Sequence, residues 1–122
     1  MFSLKLTLKN LNNMEKLIVY KEGEAPYTSG TYKVGSIDGI TYDQLFNFLG
    51  EPTFDGPSGD DKTQVEWVVD FNGDVFTIYD WKTYDRNYTE NSLTTWSVGG
   101  NQSGFELSCY IESQIKELEL PA

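Results

Sequence analysis

Thr77-Ile78-Tyr79-Asp80-Trp81-Lys82 sets two aromatic rings beside an acid and a base, with Trp67 upstream and Trp96 downstream. Rings next to a lysine can stack a nucleobase by dispersion and by the attraction of a cation for a π-face, while an aspartate holds its polar edge. Alternation along a strand puts Tyr79 and Trp81 on the face opposite Ile78, so at least one of them is expected to stay accessible. The plainer alternative is a set of core rings with a snorkelling rim. Gly99-Gly100 lies between a strand and a helix start, where backbone N–H groups can hold an anion; it also fits a tight turn needing positive φ. The candidate ligand-binding residues are therefore Tyr79, Trp81, Lys82, Trp96, Gly99 and Gly100.

A second group of side chains is anionic. Asp55, Asp60 and Asp61 fall in one long loop, and Asp70 and Asp74 flank a turn. They offer hard oxygen ligands, but the spacing is not that of a calcium loop, since glycine stands fourth in Asp70-Phe71-Asn72-Gly73-Asp74 and no glutamate closes the cage. They are read as an acidic surface for a protein partner, with no metal and no cofactor expected.

The chain has 122 residues with no histidine and one cysteine, Cys109. That removes Ser-His-Asp and Cys-His catalysis, a Cys/His zinc site and any intrachain disulfide. No phosphate-loop pattern follows a strand. Catalysis is not expected. Nineteen acidic residues against nine basic give a formal charge of −10, and the imbalance is uneven. The first 21 residues carry four lysines against one glutamate, and the rest hold five basic and eighteen acidic side chains. Such a surface repels nucleic acid and anionic membranes. It serves solubility, or it imitates a phosphate backbone in front of a basic protein groove. No run of apolar residues is long enough for a membrane helix, and the alternating Met1–Leu6 stretch is unlike a secretory signal, so a cytoplasmic location in the host cell is expected.

The elements that must position these residues make one α+β domain over 1–122. Phe2, Leu4, Leu6 and Leu8 alternate with polar residues, predicting an edge strand or loose arm over 1–13 that pairs with another chain's edge in a homo-oligomer. Met14 offers a second start codon. Leu17–Tyr20 and Thr31–Val34 read as short strands, with a turn over Gly35–Gly39. A helix over about 42–49 is signalled by the Thr41/Gln44 capping box, the Ile40/Leu45 staple and the Gly50, Pro52 stop. Glu51–Thr63 reads as an exposed loop and Lys82–Leu93 as a polar connection. Asn72-Gly73 predicts a two-residue hairpin turn pairing Trp67 with Ile78, Val69 with Phe76 and Glu66 with Tyr79, whereas a bulged turn including Asp74 would slip this register by one residue and exchange faces on the second strand. Thr94–Val98 is a further strand. Ser103 and Glu106 suggest a second capping box opening a helix over about 104–118, with Leu107, Ile111, Ile115 and Leu118 as its stripe and Glu112–Lys116 as a surface pair. The order predicts a twisted antiparallel sheet with one face covered by helices.

Thr41-Tyr42-Asp43-Gln44-Leu45, Leu49-Gly50-Glu51-Pro52, Glu66-Trp67, Thr77–Lys82 and Trp96-Ser97-Val98-Gly99-Gly100 together resemble a family of small phage-encoded proteins of uncharacterised function. The likeness runs from about residue 39 to the last helix. Leu49 stands where phenylalanine is commoner in that family, and Ser97 where histidine is commoner. The resemblance implies a phage accessory protein. A small acidic phage protein without catalytic residues is expected to inhibit a bacterial defence system by occupying a host component, as an acidic decoy of anti-CRISPR or anti-restriction type. Two alternatives stand beside it: a sponge that sequesters a nucleotide second messenger at the Trp81 cluster, and a structural or virion-associated protein.

Overall fold

The computed structural model describes residues 16–28 and 30–119, so the strand expected over 1–13 lies outside the described residues. In chain order the elements are β1 (Leu17–Val19), a 3-10 turn (Glu22–Glu24), β2 (Tyr32–Asp38), α1 (Tyr42–Leu49), β3 (Phe54–Asp55), β4 (Val65–Phe71), β5 (Asp74–Tyr79), α2 (Arg86–Asn91), β6 (Thr95–Gly100) and α3 (Phe105–Leu118). The strands form one antiparallel sheet in the order β1-β4-β5-β6-β2. β3 pairs with the start of β4 on the edge whose other end is taken by β1. Between these two short strands the buried Thr53 hydroxyl receives the Val68 N–H at 2.8 Å and donates to the Tyr20 carbonyl at 2.7 Å. One side chain thus closes the break in the ladder.

The central hairpin has the predicted register. Asn72 and Gly73 both take positive φ, as a primed turn requires, and Trp67 faces Ile78, Val69 faces Phe76 and Glu66 faces Tyr79. Strand alternation then sends Val65, Trp67, Val69 and Phe71 to one face, where they pack with Ile78 and Val98 of the sheet, Leu45 and Leu49 of α1, and Leu107, Ile111 and Ile115 of α3. Trp67 and Trp96 lie edge-to-face at 5.8 Å and are fully buried. Their indole N–H groups donate to the carbonyls of Gly50 (2.9 Å) and Ile40 (2.8 Å), which flank α1. The two largest core side chains therefore pin both ends of the helix that covers them, and α1 carries the full Thr41/Gln44 capping box.

Several expectations are corrected. β2 continues through Gly35 to Asp38, with a register shift between Lys33 and Gly35, where a turn over Gly35–Gly39 was expected. The start of α3 lies close against the sheet: the Gly104 N–H donates to the Val34 carbonyl at 3.1 Å, and a methyl group on Gly104 would stand 3.0 Å from Val98 and 3.2 Å from Val34. α3 starts at Phe105 behind Gly104; the Ser103 hydroxyl accepts the Phe105 N–H at 3.3 Å, not that of Glu106, and the Ser103/Glu106 box does not form. Its buried stripe stops at Ile115, leaving Leu118 exposed. Glu112 does not pair with Lys116; its carboxylate accepts the Asp38 N–H at 3.0 Å and ties α3 to the end of β2. The loop Glu51–Thr63 contains β3 and a closed turn, and the connection Lys82–Leu93 contains α2.

Candidate functional site

The sheet face away from α1 and α3 is lined, at the end where β4 begins and β5 finishes, by Phe54, Glu66, Tyr79 and Trp81. The ladder dictates this. Phe54 is opposite Glu66, Glu66 is opposite Tyr79, and Trp81 follows two residues after Tyr79. Phe54 and Trp81 remain 38% and 49% exposed. The Tyr79 and Trp81 rings meet edge-on at 6.1 Å. Two ammonium groups sit over the Trp81 ring, Lys62 at 5.5 Å and Lys82 at 5.7 Å from its centre. Lys62 is also ion-paired with Asp60 at 3.8 Å, so its charge is shared between that carboxylate and the ring, while Lys82 has no such pair among the described residues.

Each side chain is positioned by a different device. The segment carrying Lys62 is drawn back over β4 by the Gly56 N–H on the Gln64 carbonyl (2.9 Å) and the Ser58 N–H on the Thr63 carbonyl (2.8 Å), so β3 and β4 form a hairpin with a tight end. Asp60 secures that end, accepting from the Ser58 hydroxyl at 2.7 Å and the Lys62 N–H at 3.2 Å. These hydrogen bonds, the serine's first, hold its carboxyl below the usual range. Trp81 is fixed by its neighbour. Asp80 is completely buried and accepts four hydrogen bonds: from the amides of Gln64 (2.8 Å) and Val65 (3.1 Å), and from the hydroxyls of Thr83 (2.8 Å) and Thr89 (2.5 Å). It joins the start of β4, the end of β5 and α2 in one knot. After Trp81 the backbone is forced into the left-handed region at Lys82 (φ 59) and Tyr84 (φ 57), unfavourable for side chains of this size.

Glu66 shares this face with the rings, and among the described residues its carboxylate has no hydrogen-bond donor and no cation within ion-pair distance. Burial pushes its carboxyl up, and burial together with the Glu66 charge pushes the Tyr79 phenol up. Beside Glu66 a shallow cleft of about 340 Å³, at the low end of ligand-site volumes, runs between Phe54, Gly56, Ser58 and Thr63. Larger clefts of about 600 and 560 Å³ follow β1. Much of their polar lining is already engaged, with Tyr20 on Asp70, Thr53 in the strand seam and Asp55 on Arg86.

Of the expected ligand residues, the structure brings Tyr79, Trp81 and Lys82 together, with Gly99 on the same face beside the Tyr79 ring, and puts Trp96 and Gly100 on the opposite face. Trp96 is buried on the helix side, because it pairs with Ile37 two residues before Val98, which faces Ile78. Gly99 and Gly100 are not a turn and have no positive φ; they are the end of β6, hydrogen-bonded between β5 and β2. Their amides belong to the ladder and hold no anion. What demands glycine is close approach: a Cβ on Gly99 would stand 2.8 Å from the Thr77 hydroxyl, and one on Gly100 2.8 Å from the Phe76 ring. Asp80 does not face a ligand, being saturated by its own fold. Lys62, Glu66 and Phe54 are the members that sequence reasoning missed. The hairpin register already placed Glu66 opposite Tyr79 on the half-exposed face, whereas nothing in the loop composition signalled that Lys62 folds back.

The expected acidic surface is divided. Asp55, Asp60 and Asp61 lie where β4 begins, Asp70 and Asp74 where it ends, about 20 Å away at the usual strand rise. Asp55 pairs with Arg86 at 2.7 Å, Asp60 closes its turn, and Asp70 accepts the Gly73 N–H at 2.9 Å. Asp61 and Asp74 are exposed. Arg86 also donates to Glu90 and to the Tyr42 hydroxyl, and lies over the Tyr42 ring. Burial works to lower its guanidinium, but the hydrogen bonds to Asp55 and Glu90 prevail and raise it. No described helix is long and apolar enough to cross a membrane. No protein-family model, no curated protein and no solved structure matches the chain.

Proposed function

We propose that this protein acts by binding, without catalysis, and that it sequesters an anionic, ring-bearing small molecule of the nucleotide class at Trp81. The observation that carries this reading is the half-exposed Trp81 ring with two lysine ammoniums over it, on a segment kept in strained backbone conformation. A flat base displaces one ammonium and packs on the indole, and the displaced cation and its neighbour turn to the phosphate. With the resemblance to phage proteins, the proposed role is a phage accessory protein that removes a nucleotide defence signal in the cytoplasm of a bacterial host. The division of the carboxylates lends less support to an acidic decoy, which needs them spaced along one surface.

The test is a thermal-shift panel of cyclic dinucleotides and ADP-ribose derivatives. A true ligand at a hundredfold excess over its Kd stabilises by about 2.7 kcal/mol, Trp81→Ala abolishes the shift, and the ligand is recovered intact after denaturation. Silence across the panel, or a chemically altered ligand, overturns the proposal.

A further inference from the structure

We infer that Glu66 selects the ligand, and that it selects a ring whose edge carries two adjacent N–H donors, which among the common nucleobases is guanine. This rests on the binding reading above and deepens it.

Four observations lead here. Glu66 stands between Phe54 and Tyr79 in the ladder, so its side chain lies among the rings of the cluster. Tyr79, which faces Glu66 across the ladder, meets the Trp81 ring edge-on at 6.1 Å and so links Glu66 to the Trp81 face. The carboxylate is half-buried yet accepts nothing within the described chain, while Asp55, Asp60, Asp70 and Asp80 all accept hydrogen bonds from protein donors. Both lysines lie over the Trp81 ring and neither is within ion-pair distance of Glu66; Lys62 also pairs with Asp60 at 3.8 Å, so Lys82 supplies the unpaired cation at the end away from Glu66.

A ligand that satisfies both ends needs an anion for Lys62 and Lys82 and N–H donors for Glu66, joined by a plane that covers Trp81. The two carboxylate oxygens accept two parallel hydrogen bonds, the arrangement that gives a carboxylate its directional selectivity. Guanine offers N1–H and the 2-amino group side by side. Hypoxanthine lacks the second donor, and adenine places the N1 lone pair against the carboxylate. Leaving a half-buried charged acceptor short of one donor weakens binding about tenfold or more.

The experiment is calorimetric titration of the full chain with GMP, IMP and AMP, repeated with Glu66→Gln. The expected result is GMP tighter than IMP by at least about tenfold, with AMP weaker still, and a GMP/IMP ratio reduced to within about twofold in the variant. Equal affinities for the three on the native chain overturn the role of Glu66 while leaving the Trp81 site standing, as does an unchanged preference in Glu66→Gln. Absence of GMP binding overturns it too, and the Trp81 reading falls with it only if the cyclic dinucleotide and ADP-ribose panel is also silent. The base series on the native chain decides the matter without reliance on the variant's folding.

Discussion

Replacing Asp80 tests whether the knot that presents Trp81 is held by one buried carboxylate. Asp80→Ala leaves the Gln64 and Val65 amides without an acceptor in a buried place, while the Thr83 and Thr89 hydroxyls keep each other at 3.1 Å. Each hydrogen bond to a charged acceptor contributes about 1.5–3 kcal/mol net, and the four are not additive, so the two stranded amides set the cost at roughly 3–5 kcal/mol. A chain of this size has roughly 6–18 kcal/mol in all at about 0.05–0.15 kcal/mol per residue, so the variant approaches the edge of folding. Asp80→Asn keeps one oxygen for both amides and turns its NH₂ to the hydroxyls, at a cost of about 1–2 kcal/mol. Equilibrium urea unfolding followed by far-UV dichroism measures both, with an unchanged m-value marking a loss of stability alone. An alanine variant within about 1 kcal/mol of the native protein, or an asparagine variant no better than alanine, refutes the argument.

Two further outcomes follow from the same face. Burial raises the Glu66 carboxyl above its ordinary value, so the fold favours the protonated form; the cost of burying the charge is absent below pH ~4 and complete above the raised value. Glu66→Gln should thus unfold at a higher temperature than the native chain at pH 7, with the gap closing on acidification through that window; a gap independent of pH would show that the charge is not the cause. Gly99→Ala drives a methyl group to 2.8 Å from the Thr77 hydroxyl and 3.3 Å from the Tyr79 ring, costing roughly 1–3 kcal/mol. A double-mutant cycle with Thr77→Ala should recover part of that loss, and strict additivity would exclude the clash.

The parts of the fold that could be read in advance are those governed by short-range rules. The Asn72-Gly73 turn fixes the register of β4 and β5 because only a two-residue primed turn suits that pair, and α1 is bounded by a capping box and a terminating glycine. What escaped depends on partners distant in the chain. α2 has no apolar stripe; its one buried residue, Thr89, is buried because Asp80 accepts from it, and Asp85 caps it. β2 runs on through Gly35 to Asp38 because it pairs there with β6, about sixty residues away in the chain. The same distinction divides the site. Tyr79 and Trp81 share a face by alternation, which local sequence specifies. Trp96 and Gly100 fall on the other face because of how β6 pairs with β5, a choice fixed by Val98 facing Ile78, which no local motif announces.

The proposed stacking and charge pairing need ligand-facing groups held still before the ligand arrives, so that little entropy is lost on binding. Asp80 supplies that at Trp81, Asp60 at Lys62 and the strand ladder at Glu66. Strain at Lys82 and Tyr84 is sustained by the same knot, since Thr83 between them is bound to Asp80. Residues 54–66 and 79–84 are thereby held to one surface that carries two ammoniums, one of them also paired with Asp60, and one half-buried carboxylate.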